Sequence, residues 1–270
     1  MKTRIIAGSV FVVVLAVTFF LAPVGVTAVT MALMTALASY ELLYTTGLVR
    51  NIRLNVYSAL MAVCISVWSY LGGGHAPMVL FMLLYLMALC SELLLSSGKE
   101  PVAHVGYCLL SGLVIPFLLT SLLRIRAWEH GRLYLLIPFI MAYCSDTGAY
   151  FIGVTMGKHK MCPNISPKKS WEGFLGGIVI AALGLVLYGL LMDKIGGYKV
   201  NYALAVVYGL AGALGSVFGD LSMSVIKRQT GIKDYGKLIP GHGGILDRFD
   251  SVLITAPLTE ALLLMIPFVE

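Results

Sequence analysis

The sequence predicts an all-α protein: a polytopic membrane helical bundle of about nine transmembrane helices, with its N-terminus in the cytoplasm. Three observations lead there. First, 59% of the 270 residues are hydrophobic and 12% are charged, whereas a soluble domain is roughly 45–50% apolar and about 25% charged. One water-soluble globule cannot bury so much apolar surface, which excludes a soluble enzyme, a disordered chain and a fibrous protein. Second, the apolar residues fall in runs of about 20, the length a helix needs to cross hydrocarbon. Third, lysine and arginine collect in alternate loops, as cytoplasmic loops do.

Nine runs qualify: 5–22, 24–46, 55–71, 77–97, 102–123, 133–153, 173–192, 201–223 and 250–268. The first follows Lys2 and Arg4 and precedes the small residues Val26-Thr27-Ala28, as in a secretory signal. It is long for a signal, and further membrane segments follow it, so it reads as a retained anchor. Gly or Pro interrupts some runs, which membrane helices tolerate where neighbours satisfy the freed backbone. With the N-terminus inside, the cytoplasmic loops hold Lys2, Arg4, Arg50, Arg53, Lys99, Lys158, Lys160, Lys168, Lys169, Lys227, Arg228, Lys233, Lys237 and Arg248. The outer loops hold Arg124, Arg126, Arg132, Lys194 and Lys199. This bias accounts for the formal charge of +6 without a nucleic-acid partner. Residues 1–140 read as N-terminal transmembrane helices. Residues 141–270 read as C-terminal transmembrane helices carrying catalytic loops, and no linker separates the two parts of one integrated membrane domain. Four of the five cysteines lie in apolar runs and no CxxC pair occurs, so they read as small helix residues.

Charge returns in two stretches, 144–173 and 220–250, both on the expected cytoplasmic side, where function concentrates in loops. In the second, Asp220, Ser224, Lys227 and Arg228 stand at i, i+4, i+7 and i+8, one face of a helix. Cations at a helix end can snorkel, but a carboxylate at the edge of hydrocarbon needs a partner or a metal. Pro240-Gly241-His242-Gly243-Gly244 follows, a turn whose glycines let backbone N–H groups approach an anion. Asp247 and Asp250 come next, spaced i, i+3 around Arg248. Carboxylates suit Mg²⁺, which binds through one or two of them plus substrate phosphates, and Arg248 and Lys233 suit the remaining phosphate oxygens. In the first stretch Asp146 lies within an apolar run, a functional position by default. Lys168 and Lys169 suit phosphates. Ser170 suits the N-cap of the next helix, an anion-favouring end. Glu41 and Glu92 lie near helix ends, where snorkelling or helix pairing accounts for them. Glu260, near mid-span, is expected in a buried hydrogen bond.

Acids for a divalent metal, bases for phosphate and a cytosolic face together point to phosphoryl or nucleotidyl transfer, which needs positioning and charge neutralisation. A Walker-type GxxxxGK[ST] is absent. The run Ser224 to Asp250, with Ser224, Lys227-Arg228, Lys233-Asp234, Pro240, His242-Gly243-Gly244, Asp247-Arg248 and Asp250 at its fixed positions, resembles the signature of the phosphatidate cytidylyltransferase (CDP-diacylglycerol synthase) family. Residues 146–153 and 166–173 are similar to that family as well. The resemblance implies an Mg²⁺-dependent enzyme, with a second cation, monovalent or divalent, compatible. It would make CDP-diacylglycerol and pyrophosphate from CTP and phosphatidic acid in phospholipid synthesis. By this resemblance Asp220, Asp247 and Asp250 are metal ligands with Asp146 a further candidate near the metal, and Asp146, Asp220, Asp247, Lys227 and Arg228 are catalytic. Lys168, Lys169, Ser170, Ser224, Lys233, His242, Gly243, Gly244 and Arg248 bind substrate. The setting it implies is membrane lipid, a bacterial inner (cytoplasmic) membrane and an active site facing the cytoplasm; a homodimer is compatible. The two polar stretches are expected to converge in a cleft open to lipid and cytosol. The rival readings are a CTP-dependent polyprenol kinase, which would release CDP, and a transporter using Asp146, Asp220 and Glu260 within the membrane. Against the transporter, polar residues gather in loops rather than at mid-span.

Overall fold

The computed structural model describes residues 2–238, 241 and 243–269, with side chains from residue 8 onward. The described residues are mostly helical, with one short hairpin. In order come α1 (Lys2–Ala16), α2 (Val24–Thr45), α3 (Ile52–Tyr70), α4 (His75–Leu95), α5 (Ala103–Arg126) and α6 (Gly131–Met156). The hairpin strands β1 (Lys160–Cys162) and β2 (Ser166–Ser170) follow, then α7 (Trp171–Gly196), α8 (Tyr202–Gln229), the short α9 (Leu246–Phe249) and α10 (Val252–Met265). Among the described residues, helices α2 to α8 are the 7 long and apolar enough to cross a membrane. Two shorter apolar helices, Gly8–Leu21 and α10, stand where the sequence expects the first and last spans. The chain is an integral membrane protein of the expected all-α class. Helices dominate because hydrocarbon offers no partner for backbone N–H and C=O groups, so each segment must satisfy its own.

The chain divides into two compact units, Met1–Arg132 with Lys227–Phe249, and Leu133–Ile226 with Asp250–Glu270. In the first, α2 lies along α3, which also meets α4 and α5. Leu43, Leu54, Met61, Ile65, Tyr85 and Leu89 form its apolar core. Lipid tails are as apolar as leucine, so helix association also draws on buried hydroxyls. Thr35 Oγ1 meets Ser66 Oγ at 3.1 Å, and Tyr85 Oη meets Ser58 Oγ at 2.7 Å while donating to the Cys108 carbonyl at 2.7 Å. Arg126, almost fully buried, donates to the carbonyls of Phe19 and Ala22 at 2.7 and 3.2 Å, tying α5 to the end of the first apolar helix.

In the second unit α6 and α7 pack along most of their lengths. Small residues permit it: a Cβ on Gly177 would stand 2.7 Å from the Ser145 carbonyl, and one on Gly173 would stand 2.6 Å from that of Ala149. Helix α10 joins α6 through Thr255, whose hydroxyl donates to the Pro138 carbonyl at 3.0 Å.

Candidate active site

Asp146 lies on α6 and is largely out of solvent. Its carboxylate accepts from Ser216 Oγ of α8 at 3.3 Å and from Ser251 Oγ at 3.2 Å. On α8, Asp220 Oδ1 accepts from Ser224 Oγ at 3.1 Å, one turn on, as the i, i+4 spacing predicts. The hairpin brings the lysines. Its base is held by Glu172 of α7, which accepts from the Lys158 amide at 3.1 Å and meets His159 Nδ1 at 2.5 Å. Ser170 ends β2 in an extended conformation (φ −126°, ψ 156°), and its Oγ accepts from the Gly173 amide at 3.2 Å, capping α7. Lys169 Nζ then stands 2.6 Å from Asp220 Oδ2. The two charges form a close ion pair whose ammonium is buried. Asp146, Asp220, Lys168 and Lys169 line a cavity of about 260 Å³ whose other walls include Tyr150 and Phe174. The first polar stretch therefore meets the start of the second, at Lys169 and Asp220.

A second cluster lies in the other unit. Asp247, on α9 and 9% exposed, uses both carboxylate oxygens. Oδ1 accepts from Lys227 Nζ at 3.0 Å, while Oδ2 accepts from the amides of Tyr235 and Gly244 at 2.7 and 2.9 Å. Lys227 Nζ also lies 5.4 Å from the Tyr235 ring centre. Gly243 has φ +83°, a conformation side chains rarely adopt, and a Cβ there would stand 2.6 Å from Asp247 Oδ2. The signature loop is thus drawn onto one carboxylate.

Arg228, Lys233 and Arg248 are exposed. Asp250 is half-buried, and its Oδ1 accepts from the Ser251 amide at 2.8 Å. His242 lies outside the described residues. Among the described residues no three His, Cys, Asp or Glu side chains gather at one point. The donor set that fits Mg²⁺ best is the Asp146–Asp220 pair, two carboxylates on one cavity beside a lysine, with room for phosphate oxygens to complete the shell. Sequence reasoning missed Ser216, Ser251 and above all Glu41. The available signal was Glu41 and Thr45, a polar i, i+4 pair at the end of an apolar run.

The profile of the Cytidylyltransferase family matches residues 2–266. A phosphatidate cytidylyltransferase of Staphylococcus haemolyticus is 31% identical over 242 residues, 89% of this chain and 91% of that one. One of Staphylococcus saprophyticus is 35% identical over 178 residues, 66% of each chain. One of Haemophilus influenzae is 37% identical over 167 residues, 59% of this chain and 57% of that one. The two shorter alignments span about two thirds of the relatives or less, whereas the Staphylococcus haemolyticus match runs nearly end to end. A family match over nearly the whole chain and a relative aligned almost end to end establish that the chain belongs to the cytidylyltransferase family.

Proposed function

We propose that the protein transfers the cytidylyl group of CTP to phosphatidic acid, giving CDP-diacylglycerol and pyrophosphate. The family and the names of its relatives support this activity over lipid kinase or transport. The observation that carries it in the geometry is the cavity where Asp146, Asp220, Lys168 and Lys169 face aromatic side chains. That pairing suits an anion with an apolar tail.

A phosphate oxygen of the lipid attacks the α-phosphorus of CTP. The bond from the α-phosphorus to the bridging oxygen breaks, and its electron pair leaves with pyrophosphate. The nucleophile is already an anion at neutral pH, so no residue has to remove a proton. Catalysis then reduces to placing two anions together and neutralising them. Lys169, ion-paired with Asp220 at 2.6 Å, has further N–H groups to offer a phosphate oxygen, and the exposed Lys168 attracts the anion. Asp146 and Asp220 would hold Mg²⁺, which when bound supplies charge neutralisation on the transferring phosphoryl group. Asp247 orders the signature loop around its carboxylate, and the family resemblance gives Arg228, Lys233 and Arg248, exposed in that unit, phosphate-binding roles. We place the protein in a bacterial cytoplasmic membrane with this chemistry on the cytosolic side, from the charge bias of its loops.

The test is turnover by purified protein in detergent micelles. CTP with phosphatidate should yield CDP-lipid and pyrophosphate, and chelation of Mg²⁺ should stop it. Release of CDP instead would establish a kinase, and substrate flux without CTP turnover a transporter.

A further inference from the structure

Glu41 is the one buried acid of the N-terminal helices whose carboxylate is turned onto the signature loop. It is 4% exposed, within a wide π-helical turn, Glu41–Thr45, that ends α2. Such turns insert an extra residue into a helix and often occur at functional sites. Its Oε1 accepts from the Ile245 amide at 2.9 Å and its Oε2 from the Leu246 amide at 3.0 Å. Two loop glycines close over it: a Cβ on Gly236 would stand 2.5 Å from Oε1, and one on Gly244 would overlap the carboxyl group outright. One turn on, the Thr45 hydroxyl donates to the Tyr235 carbonyl. The same α2 turn therefore grips the loop at both ends, beside the Tyr235 and Gly244 amides that bind Asp247. Snorkelling does not describe this arrangement. A carboxylate drawn inward to satisfy amides some two hundred residues away is holding a backbone in place.

We propose that Glu41 is a positioning residue for the cytidylyl transfer. Through the Ile245 and Leu246 amides it fixes the start of α9, and with it the rotamer and placement of Asp247. Glutamine keeps the size but offers one acceptor oxygen where two amides need one each. One buried N–H is then left facing an NH₂ group, and the loop shifts to relieve it. The inference rests on the proposed function for its kinetic readout, but not for its structural one.

The experiment compares wild type with Glu41→Gln and Gly236→Ala, the second disturbing the same carboxylate from the loop side. Glu92→Gln serves as control, since Glu92 is equally buried but meets Arg53 and Tyr57 instead. Glu41→Gln should lower kcat about tenfold or more, and Gly236→Ala should lower it too. The double variant should be no worse than the poorer single one, as expected for two changes acting through one contact. Glu92→Gln should leave kcat within about twofold. Hydrogen exchange should quicken at Ile245 and Leu246 in Glu41→Gln, with α3 and α4 unchanged. Wild-type kcat in Glu41→Gln, or unchanged exchange at those two amides, overturns the proposal. An equal kcat loss in Glu92→Gln overturns it as well, because the effect is then general destabilisation. If Glu41→Gln does not fold, Gly236→Ala decides, and wild-type kcat there overturns it. If wild type makes no CDP-lipid at all, the proposed function fails, while the exchange measurement still decides the positioning role.

Discussion

Asp220 and Asp247 both read from the sequence as metal ligands, yet their surroundings differ in kind. Asp220 shares a cavity with Asp146 and is ion-paired with Lys169 through one oxygen. Asp247 turns both of its oxygens to protein donors: one lysine and two amides. Substitution therefore acts by different routes. In Asp220→Asn the cavity loses one of its two carboxylates, so kcat/KM should fall at least about a hundredfold, or about 2.7 kcal/mol of transition-state stabilisation. Thermal stability in detergent should fall too, though less than for Asp247→Asn, because the Lys169 ammonium loses a counter-charge that is itself partly solvated. Asp247→Asn keeps one acceptor oxygen, so its NH₂ group must face either the Lys227 ammonium or the two amides. Activity should be lost and the protein destabilised as well. Removing one partner of a buried ion pair typically costs about 3–5 kcal/mol, so Lys227→Met should lower the melting temperature as much as Asp247→Asn does. A stable but inactive Asp247→Asn would instead favour direct metal binding by Asp247.

At the scale of elements, the spans were legible and their partners were not. The expected runs 133–153 and 173–192 became α6 (Gly131–Met156) and α7 (Trp171–Gly196), because a helix continues past the apolar run until a cap or a breaking residue stops it. Ser170, read as an N-cap, does cap α7. The hairpin before it escaped detection. Lys160–Cys162 is too short to show alternation, and Glu172 fixes it through contacts that no local pattern reveals. Glu41 escaped for the same reason, since its partners lie some two hundred residues downstream. The α6–α7 seam gives a prediction at this scale. The gap at Gly177 leaves no room for a methyl group beside the Ser145 carbonyl. Gly177→Ala should therefore destabilise by about 1–3 kcal/mol, the usual cost of overpacking. Because Asp146 follows Ser145 directly, activity should fall with it. A methyl group added at Gly98 would meet nothing within 4 Å, but the φ of +78° there itself disfavours alanine. The sharper control is Gly106, which has equal space and ordinary backbone, and Gly106→Ala should be neutral.

For the whole molecule, the orientation we propose rests on charge rather than on packing. Most of the 19 lysines and arginines lie on one side if the spans alternate from a cytoplasmic N-terminus. On that basis we propose that the β1–β2 hairpin and the signature loop face the cytosol and that the turn between α7 and α8 faces the other side. The consequence is chemical as well as topological. CTP is held in the cytosol and does not cross hydrocarbon, so a cavity lined by Lys168, Lys169 and Asp220 works only if it opens to that side. Single cysteines report this directly once the five native cysteines are replaced. In intact cells, a cysteine at Lys199 should react with a membrane-impermeant maleimide. One at Lys160 should react only after the membrane is opened. CTP added beforehand should slow labelling at Lys168, which lines the cavity, and leave Lys199 unaffected. Labelling of Lys160 in intact cells would invert the topology and remove the cytosolic site with it.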